Sequence, residues 1–283
     1  MKLFFIVAII IIIVIITIAY TCFHKKNMVI VSLTTSPRRI HLLKDTIDSF
    51  LNQTVVPDLI QINIPKVFKR TGETYEIPEF LKNNERIKIN LCDRDYGPIM
   101  KILPTILDEN YENSTIIYTD DDVLMLPKTI ENYLTSLTFN PDFVYCLSGF
   151  QYNFWINKQI LFPGSGFVDV PEGFMSVCLS SEIIKKIRPS ILDYFEEISQ
   201  NEYCFTSDDL TMGNFLAMND IKTFKIFNDE VNGYLWWISG CELDYGKKAD
   251  AIQNIASDQH FTRYKKALEH LRNIGLQYIY SEL

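Results

Sequence analysis

The chain has 283 residues, 47% apolar and 22% charged; these proportions belong to a protein that buries a sizeable core, and they exclude disorder, a collagen repeat and a disulfide-dense mini-protein. The net charge is −8, and setting aside Lys2, Lys25 and Lys26, which no acid accompanies within residues 1–26, leaves 24 bases against 35 acids, a net −11. Nucleic acid is not expected as a partner of so acidic a body, and phosphates would be handled only with a divalent cation or a few well-placed bases.

At the start, Leu3–Tyr20 is apolar apart from Thr17. Extended to Phe23, the run would span about 31 Å as a helix, the thickness of a bilayer core. Signal peptides have a shorter apolar stretch of about 7–15 residues and a small-x-small cleavage site. Ala19-Tyr20-Thr21 is a poor match to such a site. Residues 1–26 are therefore expected to form an uncleaved single-pass membrane anchor with a basic flank, and residues 27–283 one domain. Lysines flank the run on both sides, so the positive-inside rule leaves its orientation undecided.

Strands and helices then alternate. Met28–Leu33 reads as a strand ended by Thr34-Thr35-Ser36-Pro37, and Ile40, Leu43, Ile47, Phe50 and Leu51 mark one face of a helix. Leu59–Ile64, Ile87–Leu91 and Thr115–Tyr118 read as further strands, with helical segments at Ile99–Leu107 and Thr129–Leu137. This order predicts an α/β domain on a largely parallel sheet, whose ligands bind at the carboxyl ends of the strands. Farther on, Phe143–Leu147, Gln151–Ile156, Gly173–Leu179 and Thr223–Phe227 read as strands, and Ser181–Ile187, Asp208–Met218 and Ala251–Asn273 as helices. Six scattered cysteines lack C-x-x-C or Cys/His ligand spacing and read mainly as buried thiols.

The most informative stretch is Thr119-Asp120-Asp121-Asp122, directly after an apolar strand. Three adjacent carboxylates repel one another, and a hard divalent cation relieves that repulsion while bridging to phosphate oxygens. Alternation at the strand end points Asp120 and Asp122 the same way and turns Asp121 aside. An acidic turn preceding the helix after Pro127 is the plainer alternative.

A strand ending in Asp-x-Asp inside a Rossmann-like half resembles the GT-A fold glycosyltransferases, which use nucleotide-sugar donors. Ser32-Leu33-Thr34-Thr35-Ser36-Pro37-Arg38-Arg39 is similar to the nucleotide-binding loop of glycosyltransferases of bacteria and large DNA viruses. Asp95-Tyr96-Gly97-Pro98-Ile99-Met100-Lys101 resembles their Asp-Tyr-Gly-Pro-x-x-Lys segment, and Asp208-Asp209-Leu210-Thr211-Met212-Gly213 resembles the acidic pair that supplies the base in inverting members. The resemblance covers roughly residues 28–275. It implies a GT-A-like sheet flanked by helices, preceded here by the anchor.

The resemblance also implies roles. Asp120 and Asp122 would hold Mn²⁺ or Mg²⁺, joined by His260, since GT-A enzymes often add a histidine near the C-terminus. Thr34, Thr35, Arg38, Asp95, Lys101, Asp120 and Asp121 would face the nucleotide-sugar. Hydroxyls and a guanidinium after a strand suit ribose or diphosphate, yet Thr/Ser-x-Pro is equally good helix-start chemistry. The sequence does not separate Arg38 from Arg39. A lysine early in a helix opposes the dipole, which favours a ligand for Lys101. Asp209 would be the base by motif register, with Asp208 beside it; capping of the helix accounts for one of the two. Apart from the resemblance, Gly164-Ser165-Gly166 and Pro171-Glu172-Gly173-Phe174 bracket a loop open to close approach of a sugar to the backbone, and Trp155, Trp236 and Trp237 suit sugar stacking, although core packing is the commoner role of such aromatics. The expected acceptor is a glycan, a protein or a lipid. Two other readings remain: a catalytically silent, membrane-tethered carbohydrate-binding or structural protein, and a metal-dependent phosphoryl hydrolase.

Overall fold

Strand β1 (Met28–Leu33) is apolar except for Ser32, and both of its faces are covered. Such a strand belongs in the middle of a parallel sheet. The computed structural model describes residues 27–153, 158–160, 164–227 and 259–279. In it β1 lies between β2 (Leu59–Pro65) and β4 (Ser114–Thr119), parallel to both, and β3 (Ile87–Cys92) continues the block beyond β2. Four more strands complete the sheet: β5 (Val144–Cys146), β8 (Gly166–Val168), β10 (Val177–Leu179) and β11 (Thr223–Lys225). The order is β3-β2-β1-β4-β10-β5-β11-β8; β10 and β8 run antiparallel to their neighbours, and the other strands share one direction. The expected α/β class and mostly parallel sheet are both present. A small second sheet pairs β6 (Gly149–Asn153) with β7 (Lys158–Ile160) and β9 (Val170–Pro171).

Two apolar layers cover the main sheet, and strand alternation assigns the residues to them. Val29, Val31, Leu33 and Ile117 face one layer, with Ile47 and Phe50 of α1 (Lys44–Leu51) and Ile130 and Tyr133 of α4 (Thr129–Phe139). Ile30, Ile116 and Tyr118 face the other, with α3 (Leu103–Leu107), α5 (Ser181–Ile198), α7 (Asp208–Met218) and α8 (Gln259–Asn273). The short helices α2 (Glu79–Lys82) and α6 (Glu202–Phe205) fill connections.

Chain order reverses between β1 and β4, since β1 leads outward to β2 and β3 before the chain crosses back to β4. The carboxyl ends of strands flanking such a reversal open a crevice. Leu33 pairs with Thr119, so the loops leaving β1 and β4 start at the same level.

Several sequence expectations are corrected. Gly173–Met175 is a 3-10 turn and not strand; Ser176, at φ 85°, breaks it from β10. Helix α5 continues through Pro189 to Ile198, well past Ile187. The Ile99–Leu107 segment divides into a 3-10 turn over Gly97–Lys101 and α3. Cys146, Cys178 and Cys204 are buried free thiols, as expected, while Cys92 is half-exposed. The expected anchor, Trp155, Trp236 and Trp237 lie outside the described residues. Among the described residues no helix is long and apolar enough to cross a membrane.

Candidate active site

The loop leaving β1 turns at Ser36, whose carbonyl accepts from the N–H of Arg39 at 3.0 Å. That turn sends the two arginines in different directions. Arg38 is largely exposed and reaches Glu73 at 3.5 Å. Arg39 points inward, contacting Asp121 and lying 2.5 Å from Asp122 Oδ2. The sequence reading named Arg38 without separating it from Arg39; the inward guanidinium is that of Arg39. Thr35 Oγ1 donates to Asp121 Oδ2 at 2.5 Å, whereas Thr34 Oγ1 donates to the carbonyl of Asn63 at 2.7 Å and ties β1 to β2. Thr35 therefore touches the acidic cluster and Thr34 holds the frame.

Asp120, Asp121 and Asp122 leave β4 toward two cations, Asp120 to Lys101 and the other two to Arg39. Asp121 is buried, and Thr46 Oγ1 donates to its carbonyl at 2.8 Å. Asp121 does turn from Asp120, as alternation implied, but Asp122 joins Asp121 at Arg39 instead of pairing with Asp120. Asp120 contacts Lys101.

Lys101 sits at the end of the 3-10 turn with its side chain only 3% exposed. Its Nζ also lies 2.8 Å from Asp208 Oδ2 at the start of α7. Gly97, at φ 75°, opens the turn; a Cβ there would lie 2.6 Å from the carbonyl oxygen of Phe205. Beneath, Ser32 Oγ donates to the carbonyl of Lys101 at 2.5 Å, and Asn63 Nδ2 donates to both Ser32 and Thr105. This buried polar network fixes the lysine backbone and escaped the sequence reading. The signal was present: Ser32, Gln61 and Asn63 interrupt otherwise apolar strands.

Asp208 and Asp209 are not the helix cap. The N-cap is Ser207, which makes no side-chain capping bond. Asp208 turns to Lys101, and Asp209 Oδ1 accepts the N–H of Gly173 at 2.9 Å. Gly173 is required by space: a Cβ there would lie 2.8 Å from Lys101 Nζ, 3.1 Å from Asp209 Oδ1 and 3.2 Å from Tyr118 Cε2. Of the glycines expected near a sugar, this one reaches the cluster. Tyr118, another residue the sequence reading passed over, is buried there, and its hydroxyl has no hydrogen-bond partner.

Asp95 has a framing role. Its Oδ1 accepts from Gly97 N at 2.7 Å and its Oδ2 from Lys69 N at 2.8 Å, joining two loops. His260 is on α8, but its side chain lies outside the described residues.

The electrostatics follow from crowding and burial. Burial opposes the charge on Lys101, but Asp120, Asp208 and Asp209 outweigh it and hold the ammonium well above its usual pKa. Burial and the Asp208 charge push Asp209 well above the carboxylate range, against the pull of Lys101. Burial, Asp121 and Asp120 push Asp122 up to about 7 despite Arg39.

Among the described residues no group of three or more His, Cys, Asp or Glu is gathered to hold a metal ion. Mg²⁺ and Mn²⁺ need fewer protein ligands when substrate phosphates complete the shell. Five carboxylates (Asp120, Asp121, Asp122, Asp208 and Asp209) gather around the cations Lys101 and Arg39, a formal excess of three negative charges over those two. The donors are all hard oxygens, and the Tyr118 hydroxyl is left unsatisfied beside them. Oxygens of this kind suit Mg²⁺ and Mn²⁺, while Asp120 and Asp122 are each paired with a separate protein cation. No protein-family model matches the chain, and no curated protein matches it.

Proposed function

We propose that the protein is a metal-dependent glycosyltransferase that moves a sugar from a nucleoside diphosphate donor to an acceptor hydroxyl, with inversion. One observation carries this reading. A single buried ammonium, that of Lys101, joins Asp120 at the end of β4 to Asp208 at the start of α7. Two carboxylate groups suited to different tasks thereby meet at the crevice where an α/β sheet binds nucleotides. The resemblance of four motifs in order to GT-A enzymes supports the same reading, including the GT-A-like form of the sheet.

Asp120 and Asp122 would hold Mn²⁺ or Mg²⁺. When bound, the ion supplies Lewis-acid neutralisation of the donor diphosphate. Thr35 and the Asp121 turn shape the donor side. Asp209 takes the proton of the acceptor hydroxyl as its oxygen bonds to the anomeric carbon and the bond to the diphosphate breaks. The Gly173 N–H holds Asp209 Oδ1 and leaves the second oxygen for that proton. The apolar run in residues 1–26 supports a single-pass anchor, and a glycan, protein or lipid is the acceptor.

Nucleoside diphosphate binding tests the donor half. It should be far tighter with Mn²⁺ than with chelator, and Asp122→Ala should abolish the difference. Equal binding with and without metal would overturn the reading.

A further inference from the structure

Asp209 is one of two carboxylates beside Gly173. The other is Glu172, half-buried on the turn between β9 and β10, which takes no part in the donor half or in proton removal. Ser148, just past β5, clamps it twice: the Ser148 carbonyl accepts the Glu172 N–H at 3.0 Å, and Ser148 Oγ donates to Glu172 Oε2 at 2.5 Å. Among the described residues Glu172 Oε1 has no hydrogen-bond partner. Lys225 on β11 acts on the carboxylate through space, with no ion pair between the two. Asp209 is held in the same manner, with Oδ1 on the Gly173 N–H at 2.9 Å and no partner for Oδ2 among the described residues. Packing fixes the two groups against each other. Asp209 and Gly213 lie one turn apart on α7 and share a face. A Cβ on Gly213 would overlap the Asp169 carbonyl and lie 3.2 Å from Val170 Cα on β9, two residues before Glu172. Both charges reach the same neighbours, the Cys146 thiol and the Tyr264 hydroxyl. The Tyr118 hydroxyl, buried and without a partner, stands against Gly173 on the Asp209 side, so this glycine is ringed by polar capacity that the protein itself does not fill.

We propose that Glu172 determines acceptor specificity: its free oxygen holds a second hydroxyl of a sugar acceptor, next to the hydroxyl that Asp209 deprotonates. The proposal rests on the glycosyltransferase reading and narrows its acceptor to a saccharide. Two carboxylates with one oxygen each held by the protein present two oriented acceptors and call for a ligand with two donors. A serine or threonine side chain offers one hydroxyl, and so does a simple lipid alcohol. A lipid phosphate brings negative charge to two carboxylates and is repelled. A sugar ring carries hydroxyls on adjacent carbons and supplies both donors from one rigid body. The Ser148 clamp sets the Glu172 rotamer before the acceptor arrives, so little side-chain freedom is lost on binding. Gly173 lies between the two carboxylates, and its missing Cβ leaves the floor of that gap low enough for a ring to approach.

The test uses the full-length chain, a panel of nucleoside diphosphate sugars with Mn²⁺, and methyl glycosides with their monodeoxy analogues as acceptors. Wild type should transfer to at least one methyl glycoside, and the analogue lacking the hydroxyl beside the reacting one should show an acceptor KM about tenfold higher, the scale of one hydrogen bond to a charged group. Glu172→Gln keeps the size of the side chain and an oxygen for Ser148. It should raise the KM of the parent glycoside about tenfold, with a smaller change in kcat, and leave the KM of that deoxy analogue close to its wild-type value. An equal rise for parent and analogue would mark the loss as structural and overturn the proposal. Wild type that releases the donor sugar to water but transfers it to no methyl glycoside overturns the saccharide acceptor and leaves the glycosyltransferase reading standing. No turnover of any donor overturns both. If Glu172→Gln does not fold, the deoxy series on wild type decides: a glycoside whose other deoxy analogues all keep the parent KM overturns the proposal.

Discussion

Lys101 Nζ lies 2.8 Å from Asp208 Oδ2 and also contacts Asp120, so one buried ammonium holds the end of β4 to the start of α7. The sequence reading gave this lysine to the donor phosphates. Its burial and its carboxylate partners also tie it into the frame of the site.

Lys101→Met leaves Asp208 and Asp209 facing each other without their cation. The loss should be about 3 kcal/mol, the low end for a broken buried pair because Asp120 keeps 37% of its side-chain exposure. Adding Asp208→Asn should restore part of that stability, a non-additivity expected of groups in contact. Urea unfolding of the two single variants and the double variant checks this; strict additivity would contradict the arrangement.

Gly173→Ala places a methyl 2.8 Å from Lys101 Nζ and 3.1 Å from Asp209 Oδ1. Overpacking of that kind costs about 1–3 kcal/mol. Both side chains must move, so transfer should fall together with melting temperature. A variant that melts and turns over like wild type would show that the glycine is incidental.

Asp209→Asn keeps the size of the side chain and an oxygen for the Gly173 N–H. Donor affinity should stay nearly constant while transfer drops about 10²–10⁴-fold, the share of general base catalysis. Full activity in this variant, with Asp208→Asn inactive, would move the base by one position.

Burial pushes the Cys92 thiol up to about 11 and the Cys204 thiol up to about 12, and it raises Cys146 and Cys178 as well. At pH 8 only about one in a thousand Cys92 side chains is thiolate, the reactive form. Peptide-resolved alkylation of the native protein should therefore leave these four cysteines nearly unlabelled, with labelling of Cys92 growing about tenfold per pH unit up to its pKa. Rapid labelling at pH 8 would contradict their packing.

The central strands were legible because burial on both faces leaves a mostly apolar run, as in Met28–Leu33 and Thr115–Tyr118. The acidic triplet was legible because three carboxylates after such a strand need a reason. Choosing between Arg38 and Arg39 was not possible from spacing, because the answer depends on a turn closed by Ser36. The Gly173 segment read as a strand because its neighbours are apolar, but it forms a 3-10 turn whose first N–H goes to Asp209, a partner 36 positions away. The lysine's task was hidden for a different reason. Its partners Asp120 and Asp208 lie 19 and 107 positions away, and only the crossing of the chain brings them together.

The most direct measurement incubates the full-length chain with a panel of nucleoside diphosphate sugars and Mn²⁺ and identifies the products. Wild type should release or transfer the sugar and liberate intact nucleoside diphosphate from at least one donor, chelator should stop it, and Asp122→Ala should be inactive. Cleavage within the diphosphate would instead show a phosphoryl hydrolase, and no turnover of any donor would show a binding or structural protein; either result contradicts the account.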